Sequence, residues 1–272
     1  MLQINLRKIL ADRKAPVPGF VARLLEKIIC QNELNATLRA TTPSEGSEFA
    51  RRVYDYFDLT LEIEGLETIP AGERFIFASN HPLGGLDGIG LILALGPSYG
   101  DENIRFLVND MLMHVEPLRP VFLPINKYGA QGRAAAREIN AAYASAKQII
   151  IFPAGLVSRM GKGGAIADLQ WQKSFVAKAL EYGRGIVPVT FVGLNRKRFY
   201  RTARWRQRLG LKINIEQALL PSELVASRGK KFRIIFHRPI SRAELERMKA
   251  DGLSLGQIAD RVRQFVYSPN SH

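Results

Sequence analysis

The stretch Asn80-His81-Pro82-Leu83-Gly84-Gly85-Leu86-Asp87 sets one imidazole and one carboxylate six positions apart across a Gly-Gly turn. A turn of that kind can fold the carboxylate back onto the ring. A carboxylate bonded to one ring nitrogen fixes the tautomer and leaves the other nitrogen free to take a proton. Chemically, His81 and Asp87 read as a general-base dyad. The same residue types also suit a turn histidine followed by an N-capping aspartate. Local pattern alone supports the two readings equally.

Positioning such a pair needs a strand before it and a helix after it. Phe75 to Ala78 is a short apolar run of strand character, and Gly88 to Leu95 is an apolar helical stretch. A histidine at the end of that strand stands at the edge where α/β sheets bind ligands. The alternation continues along the chain. Strands are predicted over 59–64, 74–79, 104–108, 121–125, 148–152, 185–192 and 232–237, and helices over 87–95, 110–117, 132–147 and 170–182. Ile149-Ile150-Ile151-Phe152 and Ile186-Val187-Pro188-Val189-Thr190 are near-continuous apolar runs, as in strands covered on both faces. The expected fold is α/β, with a mixed, largely parallel central sheet flanked by helices and strand 59–64 at its edge.

Residues 1–58 read as an N-terminal helical segment preceding an α/β domain over 59–272. After Pro16 and Pro18, residues Phe20, Val21, Leu24, Leu25, Ile28 and Ile29 recur at helical spacing. That stripe is expected to pack on its own domain rather than on a membrane. Two helices follow the last strand, the first opened by a capping box, Ser241 with Glu244.

The charge balance points outward. Thirty-nine Lys and Arg against 25 Asp and Glu give a net charge of +14, which implies an anionic partner. The excess concentrates in 195–212, where Arg196, Lys197, Arg198, Arg201, Arg204, Arg206, Arg208 and Lys212 meet no acid and Phe199, Tyr200 and Trp205 are interleaved. This pattern suits an anionic bilayer surface better than nucleic acid. An alternative is a solvated helix whose aromatics point inward. The single cysteine, Cys30, rules out an internal disulfide and is expected to be packed on a helical face. No apolar run reaches the roughly 20 residues of a membrane span, and the N-terminus lacks a signal-peptide core. The expected place is cytoplasmic, peripheral on the inner face of the cell membrane.

Some motifs match by letters only. Gly96-Pro97-Ser98-Tyr99-Gly100 has the lettering of a nucleophile elbow, but a helical stretch precedes Ser98 where a strand is required. The run from Gly155 to Gly163 contains Gly161-Lys162 but lacks the spacing and the hydroxyl residue of a phosphate loop. It reads as a flexible basic loop carrying Arg159. His114, His237 and His272 form no cluster with metal-ligand spacing.

Four blocks occur in order: Asn80-His81 with Asp87, Phe122-Leu123-Pro124-Ile125-Asn126-Lys127, Phe152-Pro153-Ala154-Gly155, and Ile186-Val187-Pro188-Val189. Together they resemble the glycerolipid (lysophospholipid) acyltransferase family. The wording of the first and third blocks is similar to a bacterial, hemolysin-like branch that acylates lysophospholipid-like or amino-acid-headed lipids. Three positions depart from the family. Five residues separate His81 from Asp87 instead of four, Ala154 replaces a glutamate that helps hold the acceptor head, and Lys127 replaces an arginine. The last two fit an altered headgroup.

The resemblance implies acyl transfer from an acyl carrier protein or coenzyme A thioester to a lyso-lipid, without metal or redox cofactor. His81 would act as base and Asp87 as its partner. Asn80, Asn126, Phe152 and Pro153 would belong to the substrate site. Backbone near Gly84, Gly85 or Gly155 would hold the oxyanion, and Lys127 and Arg159 the anionic head. A hydrolase or thioesterase with water as acceptor would use the same dyad. A non-enzymatic binder would use the basic stretch alone.

Overall fold

The computed structural model describes residues 3–12, 17–125, 130–161, 163–210 and 214–267. Among the described residues the strands, in chain order, are β1 (Thr60–Glu64), β2 (Phe75–Ser79), β3 (Ile104–Asn109), β4 (Phe122–Ile125), β5 (Gln148–Ile151), β6 (Arg159–Met160), β7 (Ile166–Ala167), β8 (Gly185–Val192) and β9 (Lys231–Phe236). The helices are α1 (Leu6–Asp12), α2 (Gly19–Ile28), α3 (Gln31–Thr41), α4 (Gly46–Tyr56), α5 (Gly85–Tyr99), α6 (Ala130–Ala144), α7 (Ser174–Tyr182), α8 (Lys197–Arg208), α9 (Leu220–Val225), α10 (Arg242–Ala250) and α11 (Leu255–Tyr267).

Seven strands form one sheet in the order β1-β9-β8-β2-β5-β3-β4. All neighbours are parallel except β8 and β9, so β1 and β9 run against the other five. The mixed, largely parallel sheet expected from the apolar runs is thus the sheet observed, with β1 at its edge. β2 is buried along its whole length because helices cover both faces. One core joins β2, β3 and β9 to α4 and α5 through Phe49, Val53, Phe77, Leu91, Phe106 and Phe236. The other packs α7 and α11 on the opposite face through Phe175, Val176, Ile258 and Val262.

Because β2, β3, β4, β5 and β8 are parallel, their carboxyl ends share one edge. His81 follows β2, Phe152 follows β5, and Asn195 follows β8. Asn126 and Lys127 follow β4 but lie outside the described residues, as do Lys162 and Lys212.

Three local expectations are corrected. The helix predicted over 110–117 is two 3₁₀ turns, Asp110–His114 and Glu116–Leu118. Pro117 has no N–H to donate into a helix there. Cys30 is half-buried in a left-handed turn between α2 and α3, at φ 52°, rather than on a helical face. The apolar stripe of α2 is only partly covered: Phe20 is 75% and Leu24 57% exposed.

Candidate active site

β2 delivers the chain to the carboxyl edge, and Asn80 pins it there. The Asn80 side chain donates to the Phe191 carbonyl at 3.0 Å and accepts from the Phe191 N–H at 2.6 Å, extending the pairing of β2 with β8 beyond the strand. The next residue, His81, is held by both sides of its main chain. Its N–H donates to Asp168 Oδ1 at 3.2 Å, and its carbonyl accepts from the Ser158 N–H at 2.8 Å. Asn195 Nδ2 then donates to the Pro82 carbonyl at 3.1 Å.

The His81 ring faces Asp87. Nδ1 lies 3.1 Å from Asp87 Oδ2. The ring stacks on Phe152, with centroids 3.8 Å apart and planes 18° apart. Phe106 supports Phe152 edge-on at 5.2 Å. These contacts leave the His81 side chain 16% exposed, and Nε2 has no hydrogen-bond partner among the described residues. A ring fixed through Nδ1 with Nε2 open is the arrangement a base requires.

Asp87 is fully buried, yet its carboxylate is saturated with donors. Oδ2 also accepts from the Leu83 N–H at 2.8 Å and the Gly84 N–H at 3.2 Å, and Oδ1 from the Gly88 N–H at 2.9 Å. The carboxylate therefore caps the start of α5 as well as holding the ring. The contact expected of a dyad and the helix-start bonds expected of an aspartate are both present, with Asp87 at the third position of α5 and Gly84 at its N-cap. The N-terminal turn of α5 adds a partial positive charge that favours the carboxylate there. Tyr54 packs nearby, and burial together with the Asp87 charge pushes its hydroxyl well above the usual phenol range.

Gly84 makes the turn possible. Its φ of +92° is closed to other residues, and a Cβ there would meet the Leu220 side chain at 2.9 Å. Gly84→Ala is expected to cost about 1–3 kcal/mol of stability by urea unfolding, with a matching loss of activity from the displaced Asp87 donors.

The amides expected near an oxyanion divide. The Gly84 N–H is engaged by Asp87, and the Gly155 N–H donates to the Phe152 carbonyl at 2.9 Å. Gly85 opens α5 and is exposed, in the turn whose N–H groups have no intrahelical acceptor. Pro153 is buried, and its carbonyl accepts from the Gln172 N–H at 3.0 Å.

Arg159 is not on a flexible loop. It sits in β6, which pairs with β7, and is 6% exposed. Its guanidinium donates to Glu216 Oε1 at 2.8 Å, while Arg206 donates to Glu216 Oε2 at 2.8 Å. Burial lowers the Arg159 pKa and Glu216 opposes that shift. This charge is committed to a carboxylate 57 positions away, a partner no local pattern discloses.

Helix α8 is split between the alternatives its sequence allowed. Phe199 and Tyr200 pack inward against Val157, beside the loop that holds His81. Burial pushes the Tyr200 hydroxyl up to about 12. Trp205 is 60% exposed, with Arg201 and Arg208 on the solvent side. Ser98 lies within α5, with no strand before it. A depression of about 580 Å³ lined by Arg74, Gln148 and Gly185 opens at the opposite, amino-terminal edge of the sheet, away from this chemistry.

Sequence reasoning missed Asp168, Ser158 and Trp171. Asp168 is 87 positions from His81 in the chain, so nothing near the histidine announces it.

A carboxylate-oriented imidazole at the carboxyl edge of a parallel sheet equips an α/β enzyme to activate a hydroxyl or an amine by taking its proton. The chain belongs to the acyltransferase family, whose model matches residues 8–270. It is therefore an enzyme of acyl transfer. A lyso-glycine lipid O-acyltransferase from Phocaeicola vulgatus is 39% identical over 268 residues, covering 97% of this chain and 94% of that protein. One of the same description from Bacteroides thetaiotaomicron is 38% identical over 269 residues, covering 97% and 96%. Among solved structures, the 1-acyl-sn-glycerophosphate acyltransferase of Thermotoga maritima covers 97% of this chain and 88% of its own, at 18% identity and a TM-score of 0.48.

Proposed function

We propose that this acyltransferase moves a fatty acyl group from an acyl carrier protein or coenzyme A thioester to the hydroxyl of a lyso-glycine lipid, forming an ester. The observation that carries the chemistry is the His81 ring, partly exposed at the carboxyl edge of the sheet, tied through Nδ1 to buried Asp87 and with no partner for Nε2 among the described residues. The two relatives described as lyso-glycine lipid O-acyltransferases support the acceptor and the ester bond. Nε2 takes the acceptor's proton as its oxygen attacks the thioester carbonyl. The C–S bond then breaks, and the leaving thiolate takes the proton back from the imidazolium. Asp87 orients the ring and stabilises its charged form. The exposed first turn of α5, at Gly85, is our assignment for the oxyanion.

A glycine joined through its nitrogen keeps a free carboxylate, and Lys127 is assigned to it. Ala154, where the family usually carries a glutamate, packs in the core. The exposed apolar residues Leu112, Ile125 and Leu194 follow β3, close β4 and follow β8, and offer the acyl chain an apolar rim at the same edge.

The protein is further assigned to the anionic inner face of the cell membrane. Among the described residues no helix is long and apolar enough to cross a bilayer. Trp205, Arg201 and Arg208 on α8 supply an aromatic and basic face. Because α8 packs on the loop beside His81, docking through it brings the site to the lipid. Replacing Arg201 and Arg208 with alanine is expected to weaken binding to vesicles of anionic lipid by roughly fivefold for each arginine, measured by co-sedimentation at low salt.

The activity is tested by mass spectrometry of products formed from an acyl thioester with and without an N-acylglycine bearing a free hydroxyl. Acyl ester formed only with the acceptor supports the proposal. Free fatty acid released at equal rate without it would identify a hydrolase instead.

A further inference from the structure

The buried carboxylate of Asp168 has no part in the chemistry above, and its surroundings are unusual for a loop residue. It is 5% exposed and follows β7 directly. Its Oδ1 accepts from Ser158 Oγ at 2.6 Å and from the His81 N–H at 3.2 Å, and its Oδ2 accepts from Trp171 Nε1 at 2.9 Å. Three donors compensate the cost of burying the charge. The Asp168 main chain is held in turn by α11. Its N–H donates to the Tyr267 hydroxyl at 2.8 Å, and its carbonyl accepts from Arg263 Nη2 at 2.9 Å. The Arg263 guanidinium lies 4.8 Å from the Tyr267 ring centroid.

Ser158 completes the arrangement. Its hydroxyl binds Asp168, while its N–H binds the His81 carbonyl. The peptide groups flanking the His81 Cα are thus gripped from both sides by one buried pair. The stack on Phe152 and the bond to Asp87 fix the plane and tautomer of the ring. Neither of them fixes where the Cα stands. Nε2 must meet the acceptor oxygen within hydrogen-bond reach, so a displaced Cα misplaces the base even when the dyad bond survives.

We infer that Asp168 is a positioning residue for the reaction, fixing the His81 main chain through its carboxylate and Ser158, with the end of α11 locking it from behind. This rests on the reading of His81 as the base. A role confined to holding the fold would lower the amount of folded protein and leave turnover per folded molecule unchanged.

The test compares Asp168→Ala, Asp168→Asn, Ser158→Ala and His81→Ala in the full chain, with folded fraction measured by circular dichroism. For Asp168→Ala, kcat per folded molecule is expected to fall about 100-fold with both KM values within about twofold. Asp168→Asn keeps an oxygen for Ser158 and His81 but presents an amide donor to Trp171, so about a tenfold loss is expected. Nitrogen-15 labelling of the four histidines adds a direct signature. A downfield Nδ1–H proton absent from His81→Ala reports the dyad, and it should move or broaden in Asp168→Ala. Should that variant not fold, Asp168→Asn and Ser158→Ala decide the matter. The inference is overturned if these variants keep kcat within about twofold while His81→Ala is inactive, or if their loss falls only on KM or folded fraction. If His81→Ala itself remains active, the base assignment fails first.

Discussion

His81→Ala is expected to lower kcat for acyl transfer about 1,000-fold or more, with little change in melting temperature. The size of the effect follows from proton removal. A neutral hydroxyl attacks a thioester poorly, and a positioned base contributes about 100- to 10,000-fold. Stability should hold because the fold does not lean on this ring. It is partly exposed and loses only the stack on Phe152 and one bond to Asp87. Meanwhile Asn80, Asp168, Ser158 and Asn195 continue to hold the main chain around position 81. The comparison is kcat per folded molecule beside a thermal melt. A variant that transfers normally would remove the histidine from the chemistry.

Asp87→Asn should be about as damaging to turnover and more damaging to stability. Oδ2 of Asp87 accepts from His81, Leu83 and Gly84, and Oδ1 from Gly88. An amide offers one acceptor where the carboxylate offers two, so at least one buried N–H meets another donor. Leaving a buried group unsatisfied costs about 1–3 kcal/mol. The imidazolium formed during transfer also loses its opposite charge, and kcat is expected to fall about 1,000- to 10,000-fold. Asp87→Ala removes every acceptor together with the cap of α5, and should be the less stable of the two. Urea midpoints and kcat measured on the same preparations separate the contributions. Full stability alongside lost activity would mean that the capping bonds carry little weight.

How much of this was legible in the sequence depends on how local each cause is. The strands were readable because a strand buried on both faces must be apolar throughout, as Ile149 to Ile151 and Ile186 to Val189 are. Asp87 was readable as a partner of His81 because a glycine turn is a short-range device. The helix predicted over 170–182 starts earlier than the helix observed. Trp171 is spent on Asp168, and α7 begins only at Ser174. Arg159 reads as part of a flexible basic loop because its carboxylate partner, Glu216, is distant in the chain. Asp168 went unread for the same reason. The burial of a charged side chain against a distant partner is a property of the folded chain, and local periodicity carries no trace of it. Helix α8 shows the middle case, where pattern identifies basic and aromatic residues but only packing reveals that Tyr200 turns in and Trp205 turns out.

The most direct measurement of the base is chemical rescue. His81→Ala leaves room against Phe152 for a free imidazole, so transfer should return in proportion to added imidazole and rise further with more basic substituted imidazoles. Near-normal transfer by His81→Ala without any imidazole, indifferent to its addition, would contradict the account.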